Sequence, residues 1–142
     1  MKKSLCAILI LFVTITFAKG QSKTDEEMIR VTVQNYFDGM MERDRSKLDE
    51  AFIPEARLIG FRGDQFTITP YEVWAEGTAQ GDPRNKDDFK NELVAIRING
   101  VAAVAETELY WPGIYYYDYL SLMKIDGQWK IVNKSWTSKP LD

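Results

Sequence analysis

The sequence predicts an α+β domain in which a curved antiparallel sheet follows a long N-terminal helix. Three observations carry this prediction. After Thr24, the residues Ile29, Val33, Tyr36, Phe37 and Met40 recur at spacings of three and four, which makes one helix face apolar. From residue 89 onward, β-prone runs are joined by Asn99-Gly100, Pro112-Gly113 and Asp126-Gly127, and links that short force antiparallel neighbours. The plainest hairpin lies within residues 115–136, where two aromatic-rich runs meet at Asp126-Gly127. A type I′ turn there needs two residues that tolerate positive φ, and Asp-Gly supplies them.

The first twenty residues read differently from the rest. Lys2 and Lys3 precede an apolar run from Leu5 to Phe17, and small residues follow at Ala18 and Gly20. This is the plan of a cleavable signal peptide over residues 1–20, with a run too short for a stable membrane span. A periplasmic or secreted location is expected. The single cysteine, Cys6, lies near the start of the apolar run rather than after it, so a lipid anchor is not expected. Residues 21–142 then form one domain without a thiol, a disulfide or a thiolate metal ligand. Without Lys2, Lys3 and Lys19 that domain keeps 15 basic against 21 acidic residues, net −6. Such a balance argues against nucleic acid or an anionic membrane as partner.

In chain order, Thr24-Asp25-Glu26-Glu27 reads as a capping box whose acids also suit the helix dipole. Gly39 inside that helix points to a close approach by another element. Asp44 can cap a short second helix bearing Leu48, Ala51 and Phe52, which Pro54 stops. Strands are predicted over 56–62 and 65–69 around Gly63-Asp64. Thr69-Pro70-Tyr71-Glu72 reads as a second capping box with proline at the first helical position. Residues 79–88 form a polar loop, and strands are predicted over 89–98, 101–110, 114–125 and 128–137. Strands this long beside short helices call for strong curvature, expected near Trp111-Pro112-Gly113 as a bulge.

This order resembles the nuclear transport factor 2-like superfamily. The motifs that carry the likeness are Val33-Gln34-Asn35-Tyr36-Phe37, the stretch Phe52-Ile53-Pro54-Glu55-Ala56, and the ending from Asp118 to Lys134. The ending is most similar to the lumazine-binding branch of that superfamily. The resemblance implies a cone: a strongly bent sheet wrapped around the first helix, with relatives commonly pairing through the open sheet face. It also implies where chemistry would sit if this were a steroid isomerase. Tyr36 falls at the isomerase tyrosine, which donates to a developing oxyanion. The proton-abstracting aspartate falls at Gly60, which cannot take a proton, and the third position falls near Ser121 and Asp118. The chain has no histidine, so histidine-dependent dehydration, the usual catalytic triads and most zinc sites are not expected.

The remaining candidates weigh a pocket against a packed core. Unbroken alternation puts Tyr115, Tyr117, Tyr119 and Ser121 on one face of a strand, with Tyr116, Asp118, Leu120 and Leu122 on the other. On the last strand it groups Trp129, Ile131, Asn133 and Ser135 opposite Val132 and Trp136. The expected pocket takes its surface from Trp74, Tyr115, Tyr117 and Trp129, with Tyr36 and Asn133 as orienting groups. The competing reading makes these rings core and dimer contact. Glu106 and Glu108 are expected on a solvated strand face, and Asp82, Asp87 and Asp88 lack the pattern of a calcium loop.

The expectation is therefore an exported module that binds a small, flat, partly apolar molecule. It needs no cofactor, metal or catalytic residue, and pairs as a homodimer. One alternative is an isomerase, dehydratase or cyclase using Tyr36 with Asp118. The other is a partner-binding domain that uses the open face, including Trp136.

Overall fold

The computed structural model describes residues 23–141; the predicted signal peptide over 1–20 lies outside them. Helix α1 spans Asp25–Glu42 and begins with the predicted capping box, in which Thr24 accepts from the Glu27 amide and Glu27 accepts from the Thr24 amide. Arg43 ends it in the left-handed conformation at φ 59°. Helix α2 (Arg45–Ala51) is capped by the Asp44 carboxylate, which accepts from the amides of Ser46 and Lys47. The two helices touch at Gly39, where an added Cβ would lie 2.6 Å from the Leu48 side chain.

Strand β1 (Phe52–Arg62) starts directly after α2, four residues earlier than the alternation predicts. It turns into β2 (Gln65–Pro70) and helix α3 (Tyr71–Thr78). Pro70 itself occupies the N-cap of α3, and no side chain caps that helix, so the second capping box does not form. A polar loop with one 3₁₀ turn at Lys86–Asp88 leads to the meander: β3 (Lys90–Asn99), β4 (Ala102–Trp111), β5 (Ile114–Ile125) and β6 (Gln128–Pro140). At Asp126-Gly127 both φ angles are positive, 49° and 81°, as a type I′ turn requires.

The six strands form one curved, open sheet in the order β2-β1-β6-β5-β4-β3. All neighbours are antiparallel except β1 and β6, which run parallel. The link from Trp111 to Ile114 is a tight turn in regular register. The irregularities lie elsewhere: in β1 between Phe52 and Arg57, in β3 between Leu93 and Ala95, and in β6, where Val132 is the extra residue between Ile131 and Asn133.

The bulge in β6 decides which side chains face inward. Before it, Trp129 and Ile131 are buried against α1; after it, Lys134 is buried and Trp136 and Ser138 line the interior. An extra residue reverses the alternation, so Asn133 and Ser135 leave the inner face and Lys134 and Trp136 enter it. The core lies between the concave face and the helices, built from Ile29, Tyr36, Phe52, Leu120, Leu122 and Ile131 among others.

Candidate ligand-binding site

The cone is closed at the end that holds the start of α1 and hollow at the other. The hollow has a volume of about 570 Å³. Indoles of Trp74, Trp111 and Trp136 wall it, with Leu58, Leu109 and Tyr116. Trp111 and Tyr116 meet edge to face with centroids 5.6 Å apart, and Tyr116 meets Trp136 in the same way at 6.0 Å. A rigid aromatic wall of this kind suits a flat apolar body.

Trp136 can occupy its place because residue 60 is glycine. The two residues are register partners in the β1–β6 pair, and a Cβ on Gly60 would lie 2.4 Å from the indole. The position that the isomerase comparison assigns to a base is thus filled by a ring.

Lys134 forms the floor. Its ammonium donates to the Asp118 carboxylate at 2.9 Å and to the Tyr36 phenol oxygen at 2.6 Å, while the Tyr36 hydroxyl donates to Asp118 at 2.7 Å. Asp118 is 0% exposed, Tyr36 0% and Lys134 7%. Of the three, Lys134 alone reaches the hollow; Tyr36 and Asp118 lie behind it. Charges this deep persist only when paired, and here each holds the other. Burial and the adjacent carboxylate raise the Tyr36 phenol well above its ordinary value, so it stays a neutral donor. The second carboxylate oxygen, Oδ1 of Asp118, and the hydroxyl of its cross-strand partner Thr107 are buried without protein partners among the described residues.

At the rim, Arg84 lies over the Trp111 ring at 4.9 Å. Its main-chain amide donates to the Met41 carbonyl at 2.8 Å and its guanidinium to the Met40 carbonyl, so it closes the last turn of α1. Among the described residues no Asp or Glu lines the hollow, whereas Arg62, Arg84 and Lys134 do.

Six positions were expected to bind ligand. Trp74 lines the hollow, and Tyr36 stands beneath its floor. Tyr115 and Tyr117 point to the convex side, where they flank a shallow depression with Thr137 and Lys139. Trp129 is buried at the closed end and donates through Nε1 to Asp25 at 3.0 Å. Asn133 also faces outward: with its amide turned so that both neighbours are satisfied, it donates to the Arg57 carbonyl (3.2 Å) and accepts from the Lys134 amide (3.3 Å), which ties β1 to the bulge. Tyr115, Tyr117, Trp129 and Asn133 are therefore not cone-lining residues. Trp136, expected on the open face, is inside.

Residues 24–137 match the sequence family described as "Putative lumazine-binding". The chain belongs to this family, within the nuclear transport factor 2-like superfamily. Solved folds agree. An NTF2-like protein of unknown function from Shewanella baltica OS155 is 23% identical, with TM-score 0.74 over 84% of this chain and 100% of that one. Another from Methylobacillus flagellatus KT is 24% identical, with TM-score 0.72 over 84% and 96%. A curated protein named Aldolase FrzH, from Cladobotryum sp, is 24% identical over 123 residues, 87% of this chain and 98% of that protein.

In this lumazine-binding family domain, Lys134, Trp136, Tyr116 and Arg84 are the site residues that sequence reasoning missed. Three polar residues in a row, Asn133-Lys134-Ser135, carry no parity signal. An indole at 136 that unbroken alternation leaves outside was the available hint of a bulge.

Proposed function

We propose that the domain binds a small, flat, partly apolar molecule in the hollow of the cone, with Lys134 fixing its orientation. The observation that carries this reading is one buried ammonium at the floor of an indole-walled hollow of about 570 Å³. A bicyclic heterocycle of the lumazine type has the shape and the carbonyl oxygens to use both wall and floor. The test is calorimetry and thermal shift against lumazine, flavins and steroids, with Gly77→Trp as comparator. Gly77 lines the hollow, and an added Cβ there meets nothing within 4 Å, so the position accepts a side chain at the hollow's edge. Saturable binding that Gly77→Trp weakens supports the reading; no binding by any of these compounds defeats it. The signal-peptide pattern over residues 1–20 supports a periplasmic or secreted setting for this activity.

A second reading, catalysis, is favoured by the hydrogen-bonded group of Tyr36, Asp118 and Lys134. The ammonium is a preorganised donor for an oxygen that gains negative charge, as in an enolate whose α-proton passes to solvent water in the hollow, and the name of the aldolase relative fits chemistry of that kind. Asp118 would then orient Lys134. Deuterium incorporation next to the carbonyl of a bound ketone, lost in Lys134→Met, is the expected sign; binding without exchange leaves the first reading alone.

The convex face is proposed to pair two copies of the chain. Tyr119 (48% exposed) and Val104 (36%) lie there beside Tyr115 and Tyr117. Sedimentation of the wild type should give a dimer that Tyr119→Asp converts to monomer; a wild-type monomer refutes it.

A further inference from the structure

We infer that the ligand is an organic anion whose acidic group sits at the rim against Arg84, with Lys134 binding a neutral oxygen at the floor. This rests on the reading of the hollow as a binding site and names the class of molecule it takes.

The described domain carries more acidic than basic side chains, yet the hollow is lined by three cations and no carboxylate. A cleft of one sign with low-dielectric walls concentrates field and draws in molecules of opposite charge. The cations at the floor and the rim differ in what balances them. Lys134 is neutralised by Asp118 at 2.9 Å, so the floor presents a hydrogen-bond donor with little net charge. Arg84 has no carboxylate within ion-pair distance among the described residues, and neither has Arg43 just behind it. Arg43 donates from Nη1 to the Thr78 carbonyl at 2.9 Å, and its Nε is buried without a partner. Burial and the Arg43 charge both push the Arg84 guanidinium below its ordinary value, the direction that an incoming anion reverses.

Closing the end of α1 needs one guanidinium hydrogen bond and one amide, which leaves most of the five donors of Arg84 uncommitted beside the hollow. A planar carboxylate matches that fork, and a flat body attached to it falls along the Trp111 ring on which Arg84 already stacks.

The test compares 2-naphthoate with 2-naphthamide, two flat probes of equal size that differ in charge, by calorimetry on the 21–142 domain. The acid should bind about tenfold or more tightly than the amide, the scale of a hydrogen bond to a charged group. Arg84→Gln should remove most of that preference, bringing the acid close to the level of the amide, and added salt should weaken the acid alone. Equal binding of the two probes overturns the inference while the pocket stands. Binding of neither overturns the pocket reading as well. Should Arg84→Gln unfold because α1 loses its closing contact, the acid-to-amide ratio and its salt dependence in the wild type still decide.

Discussion

The two faces of β5 use the same residue type for opposite ends. Tyr116 points inward and packs edge to face between Trp111 and Trp136, part of an apolar wall. Tyr115 and Tyr117, one position either side, point outward and donate to carboxylates, Tyr115 to Glu108 at 3.0 Å and Tyr117 to Glu106 at 2.5 Å. Glu108 sits at the edge of water with phenols beside it, and Glu106, 9% exposed, is shared between the Tyr117 phenol and the exposed Arg97 guanidinium. The inner carboxylate, Asp118, is sealed from water and balanced by one ammonium. An outer pair is therefore a modest contact, whereas the inner group is costly to disturb. Aromatic density alone does not mark a pocket; the face on which it falls does.

The largest expected effect comes from breaking the inner pair. Lys134→Met leaves Asp118 buried and unpaired and should cost roughly 3–5 kcal/mol in urea unfolding, while Lys134→Met combined with Asp118→Leu recovers most of the loss. If the single variant proves near neutral, the pair is not sealed from water as described. Next is Gly60→Ala. Its Cβ would lie within 2.4 Å of the Trp136 ring, so the indole must shift into the hollow, at a cost of about 1–3 kcal/mol. Ligand binding should weaken with it; unchanged binding would show that the position of Trp136 does not shape the site.

These two sites show what could and could not be read from the residues. The helix caps at Thr24 and Asp44, the Asp126-Gly127 turn and the meander depend on local chemistry, and they stand where the sequence places them. Asp118 also falls on the face that strict alternation assigns, with Leu120 and Leu122. What was illegible is the extra residue at Val132. A bulge is settled by pairing with both neighbouring strands, and β1 runs parallel to β6 there, a contact that no local pattern announces. From that one residue follow the outward turn of Asn133 and the inward turn of Lys134 and Trp136. Trp129 misleads for another reason: it is inward as expected, but at the closed end, where Asp25 takes its N–H.

On the outer face the effects should be small. Glu106→Gln is expected to change stability by less than about 1 kcal/mol, because Tyr117 and Arg97 remain partly in water. It should nevertheless be visible by phenol absorbance. The hydrogen bond to Glu106, with burial adding to it, pushes the Tyr117 phenol up to about 12 from an ordinary 10.0. Burial, with Glu108 second, pushes Tyr115 up to about 12 as well. A group raised on folding stabilises fully below its unfolded pKa. That contribution should be intact below pH 10 and fade between about 10 and 12. Glu106→Gln should bring the Tyr117 transition down towards 10 and leave that of Tyr115 in place; two unmoved transitions would mean that the outer contacts are not formed in solution.

The central claim is that the concave face, and not the convex one, receives the ligand, and the tryptophan N–H signals test it most directly. Of the four indoles, those of Trp74, Trp111 and Trp136 line the hollow, and that of Trp129 is held by Asp25 at the closed end. On titration with lumazine or 2-naphthoate, followed by nitrogen-15 correlation spectra, the three cavity signals should move together and saturate while Trp129 stays still. A response confined to Trp129, or to the tyrosines of the convex face with the three cavity indoles unmoved, would contradict the account.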